Sequence, residues 1–551
     1  MPTIEFNKDD LLDLIGEDLS DTELEDQLTR AKVEVEEIID DRVEVEITSD
    51  RIDLLSVEGI ARSLRASLGK DTGLTQYETH ASEHTMFVKD VPARPDVVAA
   101  VVKDVELNTP AMKSLIQLQE KLHGTFGRHR ERVSIGIHDI SDIRFPLTYK
   151  DATPDEYRFI PLEHEDPMDL ATILDEHEKG KTYRDIIDQY DRYPIIVDDD
   201  DNVLSFPPII NSTRTEVTTA STDLFIDVTG TDRESLEYAL NVICTALAER
   251  GGDIYEVELR ESGKTERTPD FSTRERSVDL EYISTVIGID LDHDEAKEYL
   301  EKVGYGVIEI GDTFDVVIPP YRADILHDID IAEDVAIGYG YNELEPTLPD
   351  ISTIGDEDPL EKFMHSVRDL MTGYGYQEIM NPTVTDTTTL VHDANREEAD
   401  VIEIANPVSD NYTVARDTLL PQLLDTLAEN THNSYPQQIF EAADVLVPDE
   451  DRNVKVRTDK HLAGIEADRD TGYTDMRSTI QGLLASLDVE PRFEKTYHSS
   501  FIEGRCAAIM LGEDRIGTIG EVHPGVLNNH AIEMPVTAFE LNLDTIREHR
   551  Q

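Results

Sequence analysis

The chain has 551 residues, too many for a single core, because hydrophobic cores stop growing near ~250 to 300 residues and typical domains hold ~100 to 150. Lys and Arg total 50 against 118 Asp plus Glu, a formal charge of -68 that runs from Met1 to Gln551, so no basic domain advertises a phosphate footprint and any nucleic-acid contact must be local. Such a surface suits a salt-rich cytosol, where the Debye length falls to ~3 Å, and the short periodic apolar runs argue against disorder even though hydrophobic residues make up only 39%.

In chain order, the first predicted domain, residues 1–82, opens with a strand at TIEF and the helix-periodic DDLLDLIG, followed by a helix-hairpin. Alternation in VEVEI (Val43 to Ile47) predicts a strand. In SDRIDLLSVEGIARSLRASLG, Leu54, Leu55, Ile60, Ala61 and Leu64 predict an amphipathic helix ended by Gly69. Residues 70–85 read as a linker. The second domain, residues 86–266, mixes strands (VVAAVVKDVEL, RVSIGIHDI) with helices (PAMKSLIQLQEKLH, ESLEYALNVICTALAERGG) and carries a hairpin turn at Asp198 to Asn202. A connector, RESGKTERTPDFSTRERS, leads to the third domain, residues 270–348. There Asp292 and Glu295 form a capping box for HDEAKEYLEKVGYG, and FDVVIPPYR and a second helix follow. The fourth, residues 351–551, alternates long helices with strands such as QIFEAADVLV and VTAFELNL, the pattern of an antiparallel sheet with helices. The expected fold class is α+β, multidomain.

Several common chemistries lack their motifs. Gly180-Lys181-Thr182 and Gly263-Lys264-Thr265 have no upstream glycine to make a phosphate loop, and G-x-G-x-x-G, H-E-x-x-H and G-x-S-x-G do not occur. Cys244 and Cys506 stand apart in apolar or small-residue surroundings, against zinc and disulfides. The acidic N-terminus has no signal-peptide core and no apolar run reaches membrane-spanning length, so a cytoplasmic protein is expected. His138 in SIGIHDIS has no third partner in sequence, and a structural histidine is the expectation.

Four separated segments, one in each domain, resemble the archaeal and eukaryotic type of phenylalanyl-tRNA synthetase β subunit. VEVEITSDRIDLLSVEGIARSLRASLG is similar to that family's N-terminal fingerprint. VSIGIHDI, EYRFIPL, LSFPPIINS and FIDVTGTD look like its editing domain, IPPYRADILHDIDIAEDVAIGYGYN like its magnesium-binding segment, and GRCAAIMLGEDRIGTIGEVHPGVLNNHAIEMPVTAFELNL like its C-terminal domain. The resemblance implies an N-terminal α+β domain, an editing (B3/B4-like) α+β domain, a small winged-helix-like B5 domain, and a class II synthetase-like antiparallel-sheet domain without catalytic motifs. It implies a ligase subunit that attaches phenylalanine to tRNA(Phe) with an α subunit, which binds ATP and phenylalanine, in a tetramer of two α and two β. It also implies, as an expectation, that the RNA-binding modules of the bacterial relatives are missing. A metal-dependent phosphoesterase is the rival reading of the acidic cluster below, but only His327 lies near it.

Proofreading follows from a selectivity limit, since an apolar pocket rejects an added hydroxyl only ~100-fold and tyrosine differs from phenylalanine by one. In the editing-like segments the polar residues beside strand-like runs are Ser205, Asn211, Ser212, Asp227, Thr229 and Thr231. Asp227 and Thr229 come first, because period-two spacing puts both on one face of a strand. For the cofactor, Mg²⁺, Asp330, Glu333 and Asp334 sit at i, i+3 and i+4 of a predicted helix, with Asp324 in the preceding turn. The resemblance places all four on the family's ligand positions, with Asp334 standing where the family has glutamate, and implies a structural role.

The ligase-like domain lacks a G-x-G-x-E-R element, whose arginine a class II site needs for ATP phosphates, and Arg416 in ARDTLLPQLL resembles a helix-start segment instead. The chain alone is therefore expected to show no phenylalanine-dependent ATP–pyrophosphate exchange in high salt, and adding the α partner restores it.

Overall fold

The computed structural model describes residues 1–261, 263–310, 313–349, 351–396 and 401–550; Gln551, the last residue of the predicted fourth domain, lies outside the described residues. The chain forms two compact units, Met1–Leu348 and Pro349–Gln551.

In the first unit, strands β1 (Thr3–Asn7), β2 (Val33–Ile39) and β3 (Arg42–Ile47) form a small antiparallel sheet in the order β1–β3–β2. Helices α1 (Lys8–Ile15), α2 (Asp21–Arg30) and α3 (Val57–Ser67) accompany it. Gly16 and Gly69 follow α1 and α3 with positive φ, the left-handed turn that glycine takes without a Cβ clash. The predicted third helix starts later than its leucines suggest. Ile52–Leu54 make a separate 3₁₀ turn, and Ser56 then caps α3 by accepting the Gly59 N–H at 3.1 Å.

The next block is built on strands β4 (Thr85–Val88), β5 (Asp96–Lys103), β6 (Val133–Asp139), β7 (Leu147–Ala152), β8 (Tyr193–Val197), β9 (Val203–Phe206), β10 (Ile210–Asn211), β11 (Leu224–Gly230), β12 (Asp253–Glu261) and β13 (Lys264–Thr268), with α4 (Thr109–Gly124) and α5 (Arg233–Ala248). Their order is β10–β9–β8–β7–β4–β12–β5–β11–β6, with β13 also paired to β12. Both faces of the centre are covered. Val98, Ala100, Val102, Ile226 and Val228 pack with α5 and the N-terminal domain, whereas Ala99, Val101 and Phe225 pack beneath the other side. The expected linker contributes a short strand, Thr79–His80, beside β12.

The predicted connector is largely strand, and Ser262 within it lies outside the described residues: β13 runs two residues beyond the expected boundary at 266, and β14 (Arg274–Asp279) begins the next domain. There α6 (Leu280–Ile287), α7 (His293–Lys302), β15 (Gly306–Ile310), β16 (Thr313–Ile318) and α8 (Asp328–Tyr339) complete a three-stranded sheet, order β14–β16–β15, with three helices. The Asp292–Glu295 capping box is formed.

The second unit has an antiparallel sheet with one parallel edge pairing, in the order β17 (Gln377–Glu378), β18 (Gln437–Pro448), β19 (Val456–Ala467), β23 (Val536–Asn542), β22 (Asp514–Val522), β21 (Phe501–Leu511), β20 (Arg492–Lys495). Helices α9 (Pro359–Gly373), α11 (Tyr473–Ser486) and α13 (Leu543–His549) pack on one face against Phe440, Leu462, Phe539 and Leu541. On the opposite face α10 (Leu420–Glu429) and α12 (Pro524–Asn529) meet Val445, Ala463, Ile465 and Ala538. Arg416 is fully buried, 2.8 Å from Glu441, with Asp444 and Asn381 carbonyls accepting its other N–H groups. It is a structural cation.

Gly59 lies where α3 crosses the 3₁₀ turn, and a Cβ there would stand 1.8 Å from the Asp53 carbonyl oxygen. Gly59→Ala is expected to cost ~1 to 3 kcal/mol or more, because backbone must shift, and a lowered melting temperature checks it.

Candidate functional site

Strand β11 lies between β5 and β6, with Asp227 opposite Ala99 on one side and Gly136 on the other. Gly136 is what lets a carboxylate stand there, since a Cβ on it would come within 2.3 Å of Asp227 Oδ1. Two residues along β6, on the same face, His138 places Nε2 2.9 Å from Asp227 Oδ1 and Nδ1 2.8 Å from Thr215 Oγ1. Thr215 Oγ1 is only 3.4 Å from the Ser212 carbonyl, so its proton goes to Nδ1 and leaves His138 Nε2–H to hold Asp227. His138 is 0% and Asp227 1% exposed. His138 is thus hydrogen-bonded within the fold, as expected of a structural histidine, with one partner from the adjacent strand and the other from a turn 77 residues away.

Asp227 lines a cavity of about 390 Å³ with Ser205, Asn211, His123, Glu120 and Arg130, against apolar walls including Leu115, Ile137 and Ile210. Its second oxygen has no partner among the described residues. Ser205 and Asn211 face each other in the β9–β10 register, and the Ser205 hydroxyl donates to Asn211 Oδ1 at 2.8 Å. Asn211 Nδ2 points to the Ile137 carbonyl at 3.5 Å. Three of the four principal candidates therefore meet in one cavity.

Thr229 does not. It shares the strand face of Asp227 as expected, but it is fully buried under Arg94, whose Nε donates to Thr229 Oγ1 at 3.2 Å and Nη2 to the Thr229 carbonyl at 2.6 Å. Arg94 also reaches the Arg130 carbonyl at 3.0 Å; burial pushes its pKa down to about 10, so it remains charged at neutral pH. Ser212 accepts the Arg214 N–H at 3.3 Å in a 3₁₀ turn, and the Thr231 amide donates to the Arg132 carbonyl. Both do turn work.

Sequence reasoning missed the other polar wall. Arg128, His129 and Arg130 all have positive φ, an uncommon run for residues with a Cβ. Arg130 anchors the run, donating to the carbonyls of Pro208 and Ile209 at 3.0 Å and to Glu120 at 2.8 Å. His123 Nε2 accepts the Ile135 N–H at 2.8 Å, which puts the ring proton on Nδ1, facing Glu120. Burial pushes His123 down to about 4, so it is neutral, while its hydrogen bond and, against burial, the Arg130 charge hold Glu120 at about 2. Consecutive basic residues in so acidic a chain were the one available signal.

The four expected magnesium ligands do not converge. Arg322, 2% exposed, grips Asp324 with Nε and Nη2 at 2.8 and 2.7 Å and reaches Asp334 at 2.6 Å. Tyr305 donates its hydroxyl to Asp334 as well. Asp330 accepts the N–H groups of Leu326 and His327 at 2.7 Å at the start of α8, and Glu333 pairs with Lys32 of the N-terminal domain at 2.8 Å. Among the described residues no three acidic, histidine or cysteine side chains form a metal-sized group. The helical spacing is as expected; Asp324 and Asp334 meet at Arg322, whereas Asp330 turns to backbone amides and Glu333 to Lys32. As placed, they do not fit a magnesium ligand set.

Comparison with known proteins bears on the whole chain. Residues 1–70 match the family profile for the Phe-tRNA synthetase β subunit B1 domain, 276–341 the tRNA synthetase B5 domain, and 344–543 the phenylalanyl-tRNA synthetase β chain CLM domain. The phenylalanine–tRNA ligase β subunit of Methanococcus maripaludis is 40% identical over 559 residues, covering 99% of this chain and all of the relative. That of Pyrococcus abyssi is 40% identical over 551 residues, covering 98% and 99%. The crystal structure of an N-terminal fragment of the phenylalanyl-tRNA synthetase β subunit from Pyrococcus horikoshii superposes with a TM-score of 0.60 at 41% identity, covering 61% of this chain and 99% of the fragment.

Arg322→Met would leave Asp324 and Asp334 as buried carboxylates without their cation, so a loss of ~3 to 5 kcal/mol is expected in denaturant unfolding at fixed high salt. The wild-type transition is expected at the same place with magnesium or with a chelator.

Proposed function

Because this chain belongs to the phenylalanyl-tRNA synthetase β-subunit family, we infer that it is the subunit that works with an α partner, in a tetramer of two α and two β chains in the cytosol, to attach phenylalanine to tRNA(Phe), and that its β6/β11 cavity hydrolyses tyrosyl-tRNA(Phe) made in error. ATP and phenylalanine are taken by the α subunit, in keeping with the buried, ion-paired Arg416 and the missing G-x-G-x-E-R element here. The family needs magnesium. In this chain a magnesium ion at Asp324, Asp330, Glu333 and Asp334 would first have to displace Arg322 and Lys32, so magnesium is assigned to the partner's ATP chemistry.

One observation carries the editing reading: Asp227, buried at the cavity wall, has one oxygen fixed by His138 and the other without a partner among the described residues. A desolvated carboxylate of this kind rewards a phenolic hydroxyl with a charge-assisted hydrogen bond. Phenylalanine's bare ring would leave that oxygen dry and unpaired. The differential therefore has the right sign for a site that accepts tyrosine and refuses the cognate residue. His138 is a positioning residue, because its Nε2–H sets the carboxylate rotamer, and Thr215 sets the ring. Ser205 and Asn211, hydrogen-bonded to each other, offer further polar contacts on the opposite wall.

Asp227→Asn in the αβ complex is expected to slow deacylation of tyrosyl-tRNA(Phe) ~10- to 100-fold, the equivalent of a charged hydrogen bond of ~1.5 to 3 kcal/mol, with phenylalanine charging intact. Unchanged deacylation would remove Asp227 from the site.

A further inference from the structure

The second unit has a cavity of its own, about 330 Å³, on the sheet face opposite α9, α11 and α13. Alternation along β23 turns Ala538, Glu540 and Asn542 toward it, and β19 contributes His461. Most of its charges are already matched. Glu540 accepts the N–H groups of Leu419 and Leu420 at 3.1 and 3.3 Å, which closes the start of α10 to any outside anion, and His461 Nδ1 lies 2.6 Å from its other side. Arg396 is held by both oxygens of Asp417, at 2.8 and 2.5 Å.

Two donors at the same cavity are unmatched. His498 Nδ1 accepts the Ser500 N–H at 3.3 Å, so the ring proton sits on Nε2, which has no partner among the described residues. Arg515 donates to Thr518 Oγ1 at 2.6 Å and, alone among the cavity's arginines, has no carboxylate partner among the described residues. His498, Arg396 and Arg515 all line the cavity, and burial, then the charges of Arg396 and Arg515, push His498 below its ordinary pKa against the opposing charge of Glu540. Phe501, Leu424 and Val522 give the cavity an apolar wall.

We propose that this cavity binds a small organic oxyanion with an apolar body, the oxyanion on Arg515 and His498 Nε2–H and the body against Phe501 and Leu424. The volume is at the small end for ligand sites, which run from ~300 to 1,000 Å³. The apolar body is required by the salt that the charge of this chain implies, because at molar ionic strength screening leaves an exposed arginine little preference for one anion over chloride. Only burial of a hydrocarbon group then discriminates.

Calorimetric titration of the full chain in molar KCl tests this with three probes: benzoate, phenyl phosphate and inorganic phosphate. Saturable one-to-one binding of benzoate or phenyl phosphate is expected, weakened about threefold by Arg515→Gln, because the charge lost is exposed and screened. Which of the two binds tells carboxylate from phosphate ester. Arg515 is exposed, so the variant keeps its fold, and His498→Leu gives an independent second measurement. No saturable binding of either aromatic probe, binding of inorganic phosphate alone, or binding indifferent to both substitutions would overturn the site.

Discussion

A buried guanidinium cannot shed its charge, and much of this structure is arranged around that fact. Arg94, Arg322 and Arg416 are among the largest fully buried side chains, in a chain with 50 bases and 118 acids. Each is satisfied differently. Arg416 has Glu441, Arg322 has Asp324 and Asp334, and Arg94 has carbonyl oxygens and a hydroxyl. In the first unit Arg51 binds Asp53 with two bonds of 2.9 Å, and Arg62 stands over the Tyr321 ring at 3.8 Å. Burial alone would raise Asp53, yet the facing Arg51 holds it at about 2. Arg62 over Tyr321 joins the N-terminal domain to the three-stranded domain, and removing one partner of a buried ion pair strands the other's charge in low dielectric.

The same constraint explains why the acidic cluster is not a ready metal site. Carboxylates packed without a cation repel, so something positive must stand among them. Magnesium is one answer, and an arginine two residues from Asp324 is another. Here the arginine is covalently tethered beside the carboxylates and matches the geometry of Asp324 with two parallel bonds. Lys32 serves Glu333 in the same way.

The β6/β11 cavity shows how a sheet interior can hold a charge for recognition. Asp227 can stand inside the sheet because Gly136 vacates the space opposite and His138 repays part of the desolvation. Arg94 beneath Thr229 and Arg130 at the rim stabilise the carbonyl-rich turns that close the cavity. The residues that touch a ligand are few; the residues that hold them outnumber them.

Local signals in the sequence were enough for most elements. The VVAAVVKDVEL and VSIGIHDI strands, the Asp292–Glu295 cap, the Asp198–Asn202 hairpin and the Gly69 stop all depend on neighbours within a few residues, where periodicity, capping and turn chemistry operate. The family followed from four ordered segments, which is again linear information. Asp227 was singled out together with Thr229 by period-two spacing on one strand. Which carboxylate finds which cation was not legible. Asp227 and Thr229 share a face by period two, yet one reaches a cavity and the other an arginine 135 residues earlier in the chain. Asp330, Glu333 and Asp334 share a helix, yet Lys32 lies 301 residues from Glu333 in sequence and Arg322 twelve from Asp334. Spacing fixes the direction in which a side chain leaves the backbone. Its partner is decided by what the rest of the fold brings within about 3 Å, where desolvated charges interact most strongly, and only tertiary structure determines that distance.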